Sequence, residues 1–252
     1  MENAARLLLR VLVGSRAHGL SDDTSDYDFR TVYAVPTSLL LSVGETPSGG
    51  RPDLTVWQEK KVGEDQDVTG WEIGHYLSLA LRCNPTILEV LAAPPMLLPS
   101  VDSADDVRRM QRYGAGLQRL FSAIWTPHRV HDAFVGYGVN QRKKFLDGKD
   151  KRRAKYAVAY LRVLFQADTL LRTGVLPISM IGTPVEGILR RWRTGVFTLG
   201  EVVDQTDAWT DRVDRALAAS PVRVPNLTVV NEFLLSVRMK FWAGNPATIS
   251  EP

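Results

Sequence analysis

The apolar residues of this chain follow two rhythms, one suited to strands before roughly residue 95 and one suited to helices after it. Residues 7–13 are apolar apart from Arg10, the pattern of a largely buried strand, although the leucines suit a helix equally. Residues 27–35 are rich in β-branched and aromatic side chains and stop at Pro36, which predicts a second strand. Two more strands are expected at 54–61 and 67–71, the first preceded by a turn-rich connection over 42–50. Helical spacing then takes over at 73–82 and from Asn84-Pro85 to about Ala92, and continues at 102–125, 131–146, 151–172, 184–193, 200–219 and 226–242. Asp168 interrupts the apolar stripe of the helix at 151–172. Pro94, Pro95 and Pro99 oppose both regular structures, so the chain divides there into an α+β unit with a small mixed sheet, 1–98, and an α-helical unit, 99–252.

Two short segments in the first unit carry candidate chemistry. Gly14-Ser15 follows the first strand: the glycine permits a sharp turn, and Ser15 is expected to cap a short helix starting at Arg16. A junction of that kind presents unpaired N–H groups and a hydroxyl to phosphate oxygens. On the second strand Asp26, Asp28 and Arg30 project to one face, and Tyr27, Phe29 and Thr31 to the other. Neighbouring carboxylates repel unless a cation lies between them, and Mg²⁺ prefers such oxygen donors. An exposed strand edge on which Arg30 neutralises one acid is the plainer account of the same residues.

Charge sharpens the division. The chain of 252 residues has a net charge of +3, but residues 1–100 hold 8 Lys and Arg against 13 Asp and Glu, and the rest holds 23 against 15. The steepest basic run is 142–155, where Arg142, Lys143, Lys144, Lys149, Lys151, Arg152, Arg153 and Lys155 face only Asp147 and Asp150. Such a run attracts triphosphate or nucleic acid, or is simply a solvated helix end. An apolar content of 44% supports a substantial core. No stretch reads as a signal peptide or membrane span, and one cysteine, Cys83, rules out an intrachain disulfide and a cysteine zinc cluster, so a cytoplasmic protein is expected.

Gly14-Ser15-Arg16-Ala17-His18-Gly19 running to Ser25-Asp26-Tyr27-Asp28-Phe29-Arg30 resembles the nucleotidyltransferase superfamily typified by DNA polymerase beta. It is most similar to the RNA-repair-pathway branch of bacteria and phages, as are residues 84–91 and the helix from Lys155 through Arg162 to Gly174. The resemblance implies a polymerase beta-like domain followed by helices that close a nucleotide cleft. It implies transfer of a nucleoside monophosphate from a nucleoside triphosphate to an acceptor hydroxyl, with two Mg²⁺ ions, or Mn²⁺ in their place, on Asp26, Asp28 and a third carboxylate. Asp67 is preferred to Glu72 as the third because it opens the segment leading into the next helix. Gly14, Ser15, Arg16, His18, Lys155 and Arg162 are the implied nucleotide contacts. The implied acceptor is an RNA 3′ end reached through the basic 142–155 region. A protein or small-molecule acceptor, and a nucleotide- or RNA-binding module without catalysis, are the alternatives.

Overall fold

Four strands build one mixed sheet in the computed structural model, which describes residues 5–42, 54–60, 66–100, 102–147 and 152–242. Residues 43–50 of the expected connection, Lys61, and Lys149, Asp150 and Lys151 of the basic run lie outside the described residues. In chain order come β1 (Arg6–Val13), α1 (Gly14–Ala17), β2 (Tyr27–Ala34), α2 (Thr37–Leu41), β3 (Val56–Lys60) and β4 (Gln66–Glu72). The sheet order is β1-β2-β4-β3, with β2 and β4 parallel and the outer pairs antiparallel. The register shifts between Leu7 and Leu9, where adjacent Leu8 and Leu9 are both fully buried. A bulge of this kind lets consecutive leucines go to the interior, which resolves the strand-or-helix ambiguity of residues 7–13. The outer edge of β1 is covered: Pro95 bridges to Val11, and the Met96 N–H donates to the Arg10 carbonyl at 2.7 Å.

Helices supply the rest. They are α3 (Ile73–Ala80), α4 (Pro85–Ala92), α5 (Ala104–Arg109), a π turn (Met110–Gly114), α6 (Ala115–Arg119), α7 (Phe121–Ile124), α8 (Pro127–Asp147), α9 (Arg153–Thr173), α10 (Glu186–Arg193), α11 (Leu199–Ala219) and α12 (Leu227–Lys240). The single helix expected over 102–125 is therefore broken into short pieces. Ser103 and Asp106 close a capping box at its start. At Gly114 a Cβ would lie 2.8 Å from the Leu8 carbonyl oxygen, so the broken segment can rest directly on β1. The helix expected at 131 begins earlier, at Pro127, because proline lacks only an N–H that the first helical position does not use.

One apolar cluster runs from Leu8 on β1 to Val237 on α12. Helix α9 is its axis, with Leu161, Leu164, Ala167 and Leu170 fully buried and Phe165 edge-on to Trp209 of α11 at 5.5 Å. Asp168, the polar break in the α9 stripe, is buried and held by Arg172 at 2.7 Å and Arg212 at 3.4 Å. Among the described residues no helix is long and apolar enough to cross a membrane.

Candidate active site

The site forms where β1 ends and β2 and β4 begin. Val13 pairs with Asp28, and Asp28 pairs in register with Asp67 on the parallel neighbour. Register partners on adjacent strands point the same way, so Asp28 and Asp67 share a face. Gly14 closes the third side: its φ is +71°, and a Cβ there would fall inside the van der Waals shell of Asp28 Oδ2. Glycine is required at that position on both counts, backbone conformation and space. Gly70 makes similar room on β4, where a Cβ would lie 2.5 Å from Thr31 Oγ1 of β2.

Asp28 is half-buried, and burial pushes its carboxyl above the usual range. The positive charges of Arg30 and Lys155 oppose the shift, while the negative charges of Asp67 and Asp26 add to it. Five charges therefore share one field: Asp26 in the exposed approach to β2, Asp28, Arg30, Asp67, and Lys155 from the first turns of α9. All the donors on the acidic side are carboxylate oxygens, the hard ligands that suit Mg²⁺ or Mn²⁺. Among the described residues no group of three or more His, Cys, Asp or Glu side chains is placed so that it could hold a metal ion.

The remaining candidates are placed differently. Helix α1 starts at Gly14 with Val13 in the cap position and no side-chain cap, so Ser15 does not cap it as expected but lies within its single turn. Arg16 donates from Nε and Nη2 to the Ser25 carbonyl, at 2.9 and 2.6 Å, and its guanidinium stacks 4.0 Å from the Tyr27 ring centre. It thereby fixes the chain on either side of Asp26. His18 is 5% exposed. Its Nδ1 donates to the Ile178 carbonyl at 2.9 Å, and its Nε2 lies 3.7 Å from Glu89 Oε1. Burial, reinforced by the Arg162 charge, lowers its pKa to about 4 against the opposing effects of Glu89 and the Ile178 bond, so the ring is neutral at pH 7. Arg162 pairs with the buried Glu89 and donates to Gln166 Oε1 at 2.9 Å, while Gln166 donates to the Pro177 carbonyl at 2.9 Å. His18 and Arg162 thus meet each other through Glu89 rather than meeting the carboxylates.

This buried network clamps the turn at 14–19 to the segment at 177–181. The Met180 N–H returns a bond to the His18 carbonyl at 3.0 Å, and Gly19, with φ +67°, lies so close that a Cβ would sit 2.5 Å from Ile181 Cγ1. A second tie runs from Arg193 of α10 to Asp22 at 2.9 Å and to Ser25 Oγ at 2.7 Å. Reading the sequence missed Glu89, Gln166 and Arg193. Glu89 had a usable signal: an acid inside the apolar run Ile87-Leu88-Glu89-Val90-Leu91 must find a buried cation. Nothing local marked Arg193.

Glu72 sits at the other end of β4. It caps α3 by accepting from the Gly74 N–H at 2.7 Å and forms a two-pronged pair with Arg238 of α12, at 2.5 and 2.8 Å. The register therefore puts Asp67, and not Glu72, beside Asp28. In the basic run, Arg142 pairs with Asp207 at 2.6 Å and Arg153 donates to the Phe145 carbonyl at 3.1 Å, leaving Lys143, Lys144, Arg152 and Lys155 exposed. Lys144 and Arg152 lie over the Tyr156 ring, at 5.7 and 5.9 Å.

A mixed sheet whose carboxylates gather against a glycine turn, with helices following, defines a protein of the polymerase beta-like, nucleotidyltransferase-like class. The chain belongs to the RlaP family, the RNA repair pathway DNA polymerase beta family, which it matches over residues 1–185. It is 22% identical over 172 residues to the uncharacterized protein YcgL of Bacillus subtilis (strain 168), covering 68% of this chain and 59% of the relative. It is 20% identical over 191 residues to an uncharacterized 38.9 kDa protein of the nrdC-mobD intergenic region of Enterobacteria phage T4, covering 76% and 51%. The chain thus spans between half and three fifths of the length of these curated relatives. A nucleotidyltransferase-like protein from Exiguobacterium sibiricum 255-15, solved by crystallography, aligns with 93% of this chain and 74% of its own, at 11% identity and a TM-score of 0.22. The fold assignment rests on the family match and the sheet, not on that superposition.

Proposed function

We propose that the protein transfers a nucleoside monophosphate from a nucleoside triphosphate to the 3′ hydroxyl of an RNA, releasing pyrophosphate. The observation that carries this reading is the in-register pairing of Asp28 with Asp67 against a glycine whose missing side chain leaves room for the Asp28 carboxylate. Asp26, Asp28 and Asp67 would hold Mg²⁺, or Mn²⁺, which supplies charge neutralisation on the triphosphate and lowers the pKa of the attacking hydroxyl. The chain's own groups do the positioning. Ser15 and the N–H groups of the turn at Gly14 face the phosphates, and Lys155 adds a cation beside Asp28. Arg16 orders the strand entry through Ser25 and Tyr27, and His18 and Arg162 hold the turn from behind through Glu89. The exposed cations of the 142–155 region, Lys143, Lys144 and Arg152, are the RNA contacts.

The test uses the purified chain with each of the four labelled triphosphates, Mg²⁺, and either tRNA or a cell extract. Label on RNA with pyrophosphate release is expected, and it should disappear in Asp28→Asn and on chelation. Label on protein or a small molecule alone would overturn the RNA acceptor. Equal activity in Asp28→Asn would overturn the metal-dependent chemistry.

A further inference from the structure

A cleft of about 540 Å³ opens far from the carboxylates, between the π turn and α6 on one wall and α12 on the other. Its distance follows from the sheet. Helix α12 is bolted by Arg238 to Glu72, which ends β4, whereas Asp67 lies five residues back near the start of that strand. At about 3.3 Å per residue the two ends of the strand are separated by roughly 17 Å, which puts the cleft towards the opposite end of the sheet from Asp28.

The walls have a definite chemistry. Arg112, Arg119 and Lys240 line them, all exposed, and no carboxylate is among the lining residues. Between the cations lie Phe233, half-buried, and Met239, exposed, while Tyr113 is buried, its ring 5.5 Å from both the Phe241 ring and the Arg112 guanidinium. Two glycines let the elements around it pack closely. Gly114 lets the π turn settle on β1, and Gly116 makes room for Phe233, whose Cε2 would be only 2.7 Å from a Cβ at that position. A π turn in a helix is itself a recurrent feature of functional sites. Cations flanking an aromatic and thioether floor fit a ligand that is anionic along its backbone and flat in its side groups. An acidic peptide would satisfy the charges and leave the Phe233 ring and the Met239 thioether without a flat partner.

We propose that this cleft binds single-stranded RNA, as a contact surface separate from the carboxylate site. The phosphates pair with Arg112, Arg119 and Lys240, and a base lies against Phe233 and Met239. The proposal shares the RNA with the functional reading but does not depend on the carboxylates or on turnover.

Fluorescence anisotropy of an end-labelled, unstructured RNA 15-mer, titrated with the full chain in chelator at several salt concentrations, tests it. Arg119→Glu with Lys240→Glu should weaken binding about tenfold, and at two lost phosphate contacts of about 0.7 each should flatten the log–log salt slope by about 1.4. Arg119→Gln with Lys240→Gln, which loses the same two contacts, should flatten the slope by the same amount with a smaller loss of affinity, and circular dichroism checks that both variants are folded. Binding is read in chelator and without nucleotide, so it does not depend on nucleotidyl transfer, which separates failure here from failure of that reading. A 4-thiouridine probe should crosslink to Phe233 or Met239. The proposal is overturned by unchanged affinity and slope in both double variants, by crosslinks confined to the 142–155 region, or by polyglutamate of equal charge displacing the RNA at matched concentration.

Discussion

His18 should make the protein's stability depend on pH in a way that a single substitution can isolate. Its ring is buried with a pKa lowered to about 4 from an ordinary 6.5, because burial and the adjacent Arg162 oppose protonation more than Glu89 favours it. Between those values the unfolded chain holds a proton on His18 that the folded protein does not. The unfolded state therefore binds more protons, and stability falls as pH drops through this window. Integrating the two titrations gives a loss of about 1 kcal/mol at pH 5.5 and about 2 kcal/mol at pH 5.0 relative to pH 7.5, levelling between about 3 and 4 kcal/mol well below pH 4. His18→Asn removes the titration while its side-chain amide can still donate to the Ile178 carbonyl. Other groups, Glu89 included, titrate in both proteins. Urea unfolding at pH 7.5, 5.5 and 5.0 should thus show the stability difference between the unaltered chain and His18→Asn shrinking by those amounts as the pH falls. A difference constant to within about 0.3 kcal/mol would refute the argument, since it would mean that the ring accepts a proton as readily folded as unfolded.

Two substitutions separate the ends of β4, and a third probes the turn. Glu72→Gln leaves Arg238 without its carboxylate and should cost about 3 kcal/mol in urea unfolding, while the rise in melting temperature produced by Mg²⁺ remains; Asp67→Asn should show the opposite pattern. Gly14→Ala forces a left-handed backbone on a residue with a Cβ, at about 1–2 kcal/mol, and pushes against Asp28; it should lower the melting temperature and remove the Mg²⁺ response together, measured by differential scanning fluorimetry with and without chelator.

The strands and long helices were legible because their signals are local. β2 announces itself by Tyr27, Phe29, Thr31 and Val32 before Pro36, and α9 by a stripe that the structure buries. The helix expected over 102–125 failed because its breaks are tertiary: Gly114 lies on the Leu8 carbonyl, a contact over a hundred residues long that no window of sequence contains. The candidate site divides the same way. Asp26 and Asp28 could be paired on paper from their spacing, and Asp67 preferred to Glu72 from its place ahead of the next helix, but that Asp67 stands opposite Asp28 is a matter of register between β2 and β4, set across a connection of more than thirty residues. His18, Arg16 and Arg162 are the instructive case. Their positions in the motif pointed to phosphate, yet the first is sealed against Ile178, the second stacks on Tyr27 and the third is committed to Glu89. A residue in a phosphate-turn motif can therefore be selected for holding the turn instead of touching the ligand. The two roles leave the same mark in sequence and differ in burial, because a buried cation needs its acid partner inside the fold whereas a ligand-binding one must leave its charge available at the surface.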